Sequence, residues 1–214
     1  MQEHLAVDAD EHIIIEPQPK PVHVRMARHV SNILSPASIS LPFIVLVALY
    51  RASDKLTALL YALITLFFVS VGPLAYIVIG VHLGKLSDID ISRRSERAGP
   101  FLFGISSTLV GLLVLLLIQG PKNLQTALII TIVSAIILLI TTLWWKISIH
   151  ASSLGGVATI LTALYGAAML PCFFLLILVS WSRVVLRRHT ILQVIAGSLV
   201  SIVLSLLILK LRGV

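Results

Sequence analysis

Seven apolar stretches, at roughly 31–50, 57–83, 100–118, 125–145, 151–168, 170–181 and 190–211, alternate with short polar loops and leave this chain few ways to fold. A helix needs about 20 residues to cross about 30 Å of hydrocarbon, and the second, third, fourth and last stretches meet that length. The first contains Pro36 and Pro42 and is expected to kink or tilt. Residues 151–181 are long for one span and short for two; Gly166, Ala167, Ala168 and Pro171 predict two short helices with a tight turn near 169–171. The runs lack the period-two alternation of a membrane barrel, so helices are the spanning element. The fold class that follows is an all-α integral membrane protein with six to seven transmembrane helices in a compact bundle.

Composition agrees. The chain is 58% hydrophobic and 12% charged, whereas a soluble domain carries about 25% charged residues. Its net charge of +7 does not imply nucleic acid, because the basic residues fall in inter-span loops, where they orient the chain or meet lipid phosphates. One cysteine, Cys172 in an apolar run, excludes a disulfide framework and a Cys-based zinc site. Residues 1–29 are polar and proline-containing and read as a mobile or loosely docked tail ahead of a membrane domain at 30–214. His4, His12, His23 and His29 in that tail match no metal-ligand spacing. Small residues at Gly155, Gly156, Ala158, Ala163 and Gly166 predict close helix packing.

Span parity carries the functional argument. Two spans separate the loop at 84–99 from that at 146–150, and two more separate the latter from 182–189, so all three loops share one membrane face. They hold Lys85, Arg93, Arg94, Arg97, Lys146, His150, Arg183, Arg187, Arg188 and His189. Ser182 to Gly197, SRVVLRRHTILQVIAG, is the densest of these clusters, set between two apolar runs. Such charges beside a bilayer serve either as a docking site for an anion or as an interfacial anchor. A phosphate ester distributes charge over several oxygens, so its hydrolysis calls for cations and directed donors around the transferring group. Arg183 suits that role because a guanidinium grips two phosphate oxygens at once, with Arg97, Arg93 or Arg94, and Lys146 able to complete a clamp.

The same run resembles the third signature of the type 2 phosphatidic acid phosphatase superfamily, in which Ser-Arg is followed by His after five residues and by Asp four residues later. Ser182, Arg183 and His189 match in type and spacing; Gln193 stands at the Asp position, as in the dolichyl-diphosphatase-like branch. Ile147–His150 keeps the Ser (Ser148) and the His (His150) of the second signature without its Pro and Gly. In the first signature Arg97 matches the Arg, Ala98 follows it, and Asp90 takes the Lys position. The resemblance covers roughly 84–205. It implies a metal- and cofactor-independent hydrolase of the cell membrane acting on a lipid phosphate or polyprenyl (di)phosphate. In that scheme His189 is the nucleophile that forms a phosphohistidine, His150 the acid for the leaving group, and Gln193 the residue that fixes the His189 tautomer. Arg183, Arg97, Arg93, Lys146, Ser148 and Ser182 are the phosphate ligands.

Blander roles compete. Arg187 and Arg188 read as interfacial anchors, His150 beside Trp144 and Trp145 fits an aromatic belt, and His82 an uninvolved interfacial histidine. Asp88 and Asp90 without a second acidic cluster pair with nearby Arg rather than hold a metal, and Ser106, Ser107, Thr141 and Thr142 bond their own helix or a neighbour. A non-catalytic protein of the same fold that binds or moves anionic lipids is the alternative function. A transporter trails, because no charge lies well inside an apolar run.

Overall fold

The computed structural model describes residues 21–89, 91 and 93–214, with Arg94 described by its backbone alone. Nine α-helices make up the described chain: α1 (Val22–Ile33), α2 (Pro36–Leu49), α3 (Lys55–Leu66), α4 (Gly72–His82), α5 (Ala98–Leu117), α6 (Lys122–Thr142), α7 (Ile149–Tyr165), α8 (Pro171–Val185) and α9 (Ile191–Arg212). A π-turn at Phe67–Val71 joins α3 and α4 into one span, Lys55–His82. Five helical segments are long and apolar enough to cross a membrane, or six if α1 and α2, bent by 43°, form one span. The protein is an integral membrane helical bundle. The short eighth helix, at 15 residues, reaches only about 22 Å.

Local chemistry sets the helix ends. Ser35 caps α2 through the Ser38 N–H ahead of Pro36, whose missing donor is harmless at that position. Asp54 accepts from Leu56 and Thr57 N–H to start α3, and Ser148 caps α7 through Ala151 N–H. Thr190 and Gln193 form a reciprocal capping box at α9. The turn expected between two short helices is present: a 3-10 segment, Gly166–Met169, links α7 to α8, and Gly166 adopts φ 74°, open to glycine without a Cβ clash.

The first helix corrects one boundary. Residues 22–29, assigned to the polar tail, are helical, because Val24, Ala27, Val30 and Ser31 recur at helical spacing and face inward against α8. Residues 1–20, with His4 and His12, lie outside the described residues, whereas His23 and His29 are on the exposed side of α1.

Helix α7 is the most buried span and packs on α9, α8 and α2. Small residues permit this, although not all of those anticipated. A Cβ on Gly155 would stand 3.1 Å from Ser198 O, and Gly156 faces Ser201 and Ser205, but Ala163 is exposed and Gly166 serves the turn. The tightest approach between α7 and α9 belongs to Gly197, where a Cβ would lie 2.7 Å from Ser148 O and 2.9 Å from Ile147 Cγ2. Ser152 and Ser201 hydrogen-bond across the same interface.

The π-turn has a comparable origin. Gly72 N–H bonds Phe67 O instead of Phe68 O, and Pro73, next in register, has no N–H to offer. Ser107 on α5 supplies the missing donor, Oγ to Phe68 O at 2.6 Å. Thr141 and Thr142 donate instead to carbonyls of their own helix, α6.

Two outcomes check this packing. Gly197→Ala should destabilise the detergent-solubilised protein by about 1–3 kcal/mol, since backbone rather than a movable side chain stands in the way; Gly104→Ala, in open space, is the control. Ser107→Ala, measured by thermal unfolding, should cost about 0.6–1.7 kcal/mol, the range of interhelical hydrogen bonds in membranes.

Candidate functional site

The loops after α4, α6 and α8 meet at one end of the bundle, and the residues they carry act on one another. Helix α8 ends in a Schellman turn: Arg188 N–H bonds Arg183 O at 3.0 Å and Arg187 N–H bonds Val184 O at 2.9 Å. Arg187 occupies the left-handed position, φ 53°, normally given to glycine. The turn folds the chain back over Arg183, and His189 N–H also reaches Arg183 O at 3.3 Å. His189 is thereby buried between the end of α8 and the capping box of α9.

The arrangement of α7 is coupled to this turn. Ser148 N–H donates to Gln193 O at 3.3 Å, so the first turns of α7 and α9 are tied backbone to backbone. That tie, with the glycine contact at residue 197, brings Ser148, His150 and Lys146 to the side of the site formed by α9. Ser148 is fully buried and its hydroxyl caps α7. His150 is buried in the first turn of α7.

Arg97 approaches from the loop before α5. It is buried, and its Nε donates to Ile91 O at 3.1 Å. Ile91 holds φ 46°, an uncommon backbone state for a β-branched residue, and is itself buried. Glu96 braces the loop by accepting Ser87 N–H at 2.7 Å and Ser87 Oγ–H at 2.8 Å; these bonds, led by the backbone one, hold its carboxyl below the usual range.

Electrostatics defines the centre. Burial, then the charges of Arg183, Lys146 and Arg97, push the His189 pKa down to about 3, with a hydrogen bond to Gln193 opposing. The imidazole is therefore neutral at physiological pH. Among the described residues its buried Nδ1 finds no well-formed hydrogen bond. Lys146 is also lowered, by burial first and then by Arg97, Arg183 and Arg188, while Asp88 works the other way. Three cations thus act on one neutral histidine, with the Asp88 carboxylate bearing on Lys146 as a counter-charge.

Other residues stand apart. Arg93 is exposed and pairs with Glu96 at 3.4 Å, turned from the cations that act on His189. Ser182 is fully buried and donates to Val179 O at 2.7 Å, so its hydroxyl belongs to its own helix. Gln193 Oε1 accepts Thr190 N–H at 3.1 Å, which makes it a helix cap as well as a neighbour of the imidazole. Arg187 and Arg188 are exposed, and Arg188 still bears on Lys146. The side chain of Arg94 and all of Asp90 lie outside the described residues. Among the described residues no group of three or more His, Cys, Asp or Glu is arranged to hold a metal ion.

Ser31 was not anticipated from the sequence. Buried on α1, it receives a 2.8 Å hydrogen bond from Arg183 Nη1 and fixes one edge of the guanidinium. The pair Ala27 and Ser31, small residues four apart, was the available signal for the close approach of α1 to α8. The chain matches no family model, no curated protein and no solved structure.

The sign of the His189 shift gives a testable outcome. The unfolded chain takes up a proton near pH 6.5, the ordinary histidine value, and the folded chain only near 3. Stability contributed by the neutral imidazole is present above pH 6.5 and declines as pH falls toward 3. Nitrogen NMR of labelled histidine should find His189 neutral at pH 5, and Lys146→Met should raise its pKa by removing a cation. Titration near 6.5 in the unaltered protein would contradict the burial described.

Proposed function

We propose that this protein is a metal-independent lipid phosphatase of the cell membrane, acting on a lipid phosphate or polyprenyl (di)phosphate through a phosphohistidine. The observation that carries the reading is the convergence of Arg97, Lys146 and Arg183 on a buried, neutral His189. An anion of two or more negative charges is the ligand such a site favours, and a neutral imidazole is the form that can attack phosphorus. The resemblance of Ser182–His189 and of Ser148/His150 to the type 2 phosphatidic acid phosphatase signatures supports the same assignment.

In this scheme the three cations hold the phosphoryl oxygens and stabilise charge in the transition state. An imidazole nitrogen of His189 attacks phosphorus, and the bond from phosphorus to the lipid oxygen breaks. His150, entering protonated, gives its proton to the departing lipid oxygen, or to the departing phosphate of a diphosphate. His150, now neutral, then takes a proton from water as that water attacks the phosphohistidine. The P–N bond breaks, inorganic phosphate leaves, and both histidines return to their starting state. Ser31 positions Arg183, and the capping box positions Gln193 against the imidazole. Gln193 accepts a hydrogen bond without supplying the negative charge of a carboxylate, so an imidazolium gains less stabilisation here than beside an Asp.

The last point favours a second reading, a non-catalytic lipid-phosphate binder of the same architecture. The two diverge in one assay. Purified protein in chelator should release phosphate from a panel of lipid phosphates, and His189→Ala should reduce release by at least about 10³-fold, the order seen on removing a catalytic group. Undiminished release by that variant would overturn the mechanism. Binding without release or a trapped phosphohistidine would establish the binder instead.

A further inference from the structure

A cavity of about 310 Å³ lies within the bundle, walled mainly by apolar side chains of α2, α4, α6 and α7. The π-turn borders the space through Val69 and Ser70. Below it α3 packs on α2; beyond it α4 leans on α5, so the two spans part like a wedge. Leu74 of α4 and Pro36 of α2 lie at the parted edge, where the cavity faces lipid, while Ile130 and Ile160 close it at the back.

Its upper end lies under the basic site. Phe101 and Ile149 both line it. Phe101 is one helical turn from Arg97, to whose carbonyl its N–H is bonded at 3.0 Å, and Ile149 is next to His150. An anionic head among Arg97, Lys146 and Arg183 would therefore have this chamber directly beneath it.

The geometry points to a chain-binding chamber, reached laterally from the bilayer between α2 and α4, that selects lipid phosphates carrying a single hydrocarbon chain. The assignment rests on the basic site as the head-group site proposed above. Its capacity is that of about ten water molecules, enough for one medium-length chain and too little for the paired chains of a diacyl lipid. A bilayer is as apolar as the chamber, so transfer of the chain gains little by itself. Selection comes from filling an otherwise poorly packed space and from excluding bulk. A second groove, between α8 and α9 and lined by Ser180, Trp181 and Ile195, also opens to lipid near the end of α8 and is the competing location.

Ser134 on α6 is the residue to test. It is buried in the chamber wall, and its Oγ finds no hydrogen-bond partner among the described residues. Ser134→Phe replaces an unsatisfied hydroxyl with bulk, and Ala135→Leu on the same wall is a milder second obstruction. Binding of farnesyl phosphate and of dipalmitoyl phosphatidate to the full chain in detergent is measured by titration, separately from phosphate release. The unaltered protein should prefer farnesyl phosphate, and Ser134→Phe should weaken that binding about tenfold with no fall in the thermal midpoint. Ala135→Leu should weaken it less, and Ser180→Phe should leave it unchanged. Unchanged binding in both chamber variants, equal binding of the two lipids, or loss in Ser180→Phe alone would overturn the assignment. Binding that follows this pattern without phosphate release would retain the chamber and reject the phosphatase; release indifferent to the chamber variants would do the reverse.

Discussion

The approach of Gly197 to the backbone of Ser148 is the contact on which the basic face depends. A helix in lipid gains no hydrophobic energy from touching another helix, so close packing and interhelical hydrogen bonds must hold the bundle. Here the lack of a Cβ at residue 197 lets α9 press against the cap of α7, and the Ser148 N–H completes the tie by donating to Gln193 O. Ser148, His150, His189 and Gln193, from segments 40 residues apart, share one neighbourhood because of it. Any side chain at 197 would push those two first turns apart before it touched the chemistry.

The second constraint is electrostatic. Burying Arg97 and Arg183 near the half-buried Lys146 is costly, and the fold offsets it in part with Ile91 O, the Ser31 hydroxyl and Asp88. None of these is a dianion. The remaining field falls on His189, which answers by staying unprotonated. Burial comes first in keeping the imidazole neutral and the three charges second; under the proposed function those same charges would hold a phosphoryl group. Once an anion is bound, the repulsion is neutralised and the imidazole becomes easier to protonate.

Hydropathy made most of the bundle legible, including the parity of the loops and the break near residue 170, because in a bilayer backbone satisfaction leaves helices as the available form. It missed the start of α1, whose inward stripe of Val24, Ala27, Val30 and Ser31 is too narrow to stand out in an otherwise polar run. The placement of Arg183 and His189 beside each other was legible because it follows from helix register. In the loop before α5 residue type alone does not separate Arg93 from Arg97, although the resemblance singles out Arg97; in the structure Arg97 turns inward to bond Ile91 O, and Arg93 pairs with Glu96. The capping box of Thr190 and Gln193 was written plainly as T-x-x-Q, yet the spacing from His189 drew attention to a single role for Gln193 when it has two.

The π-turn links these levels. Pro73 removes a donor, Ser107 replaces it from α5, and the bond that repairs the backbone also ties the span to α5 at the point where it must leave α2. An unrepaired turn would leave the Phe68 carbonyl bare in an apolar setting, a loss of about 0.6–1.7 kcal/mol by the measured range for interhelical hydrogen bonds. The basic face and the apolar cavity are thus joined through α5, which carries Ser107, the donor to Phe68 O, and Phe101, which lines the cavity, and is preceded by Arg97.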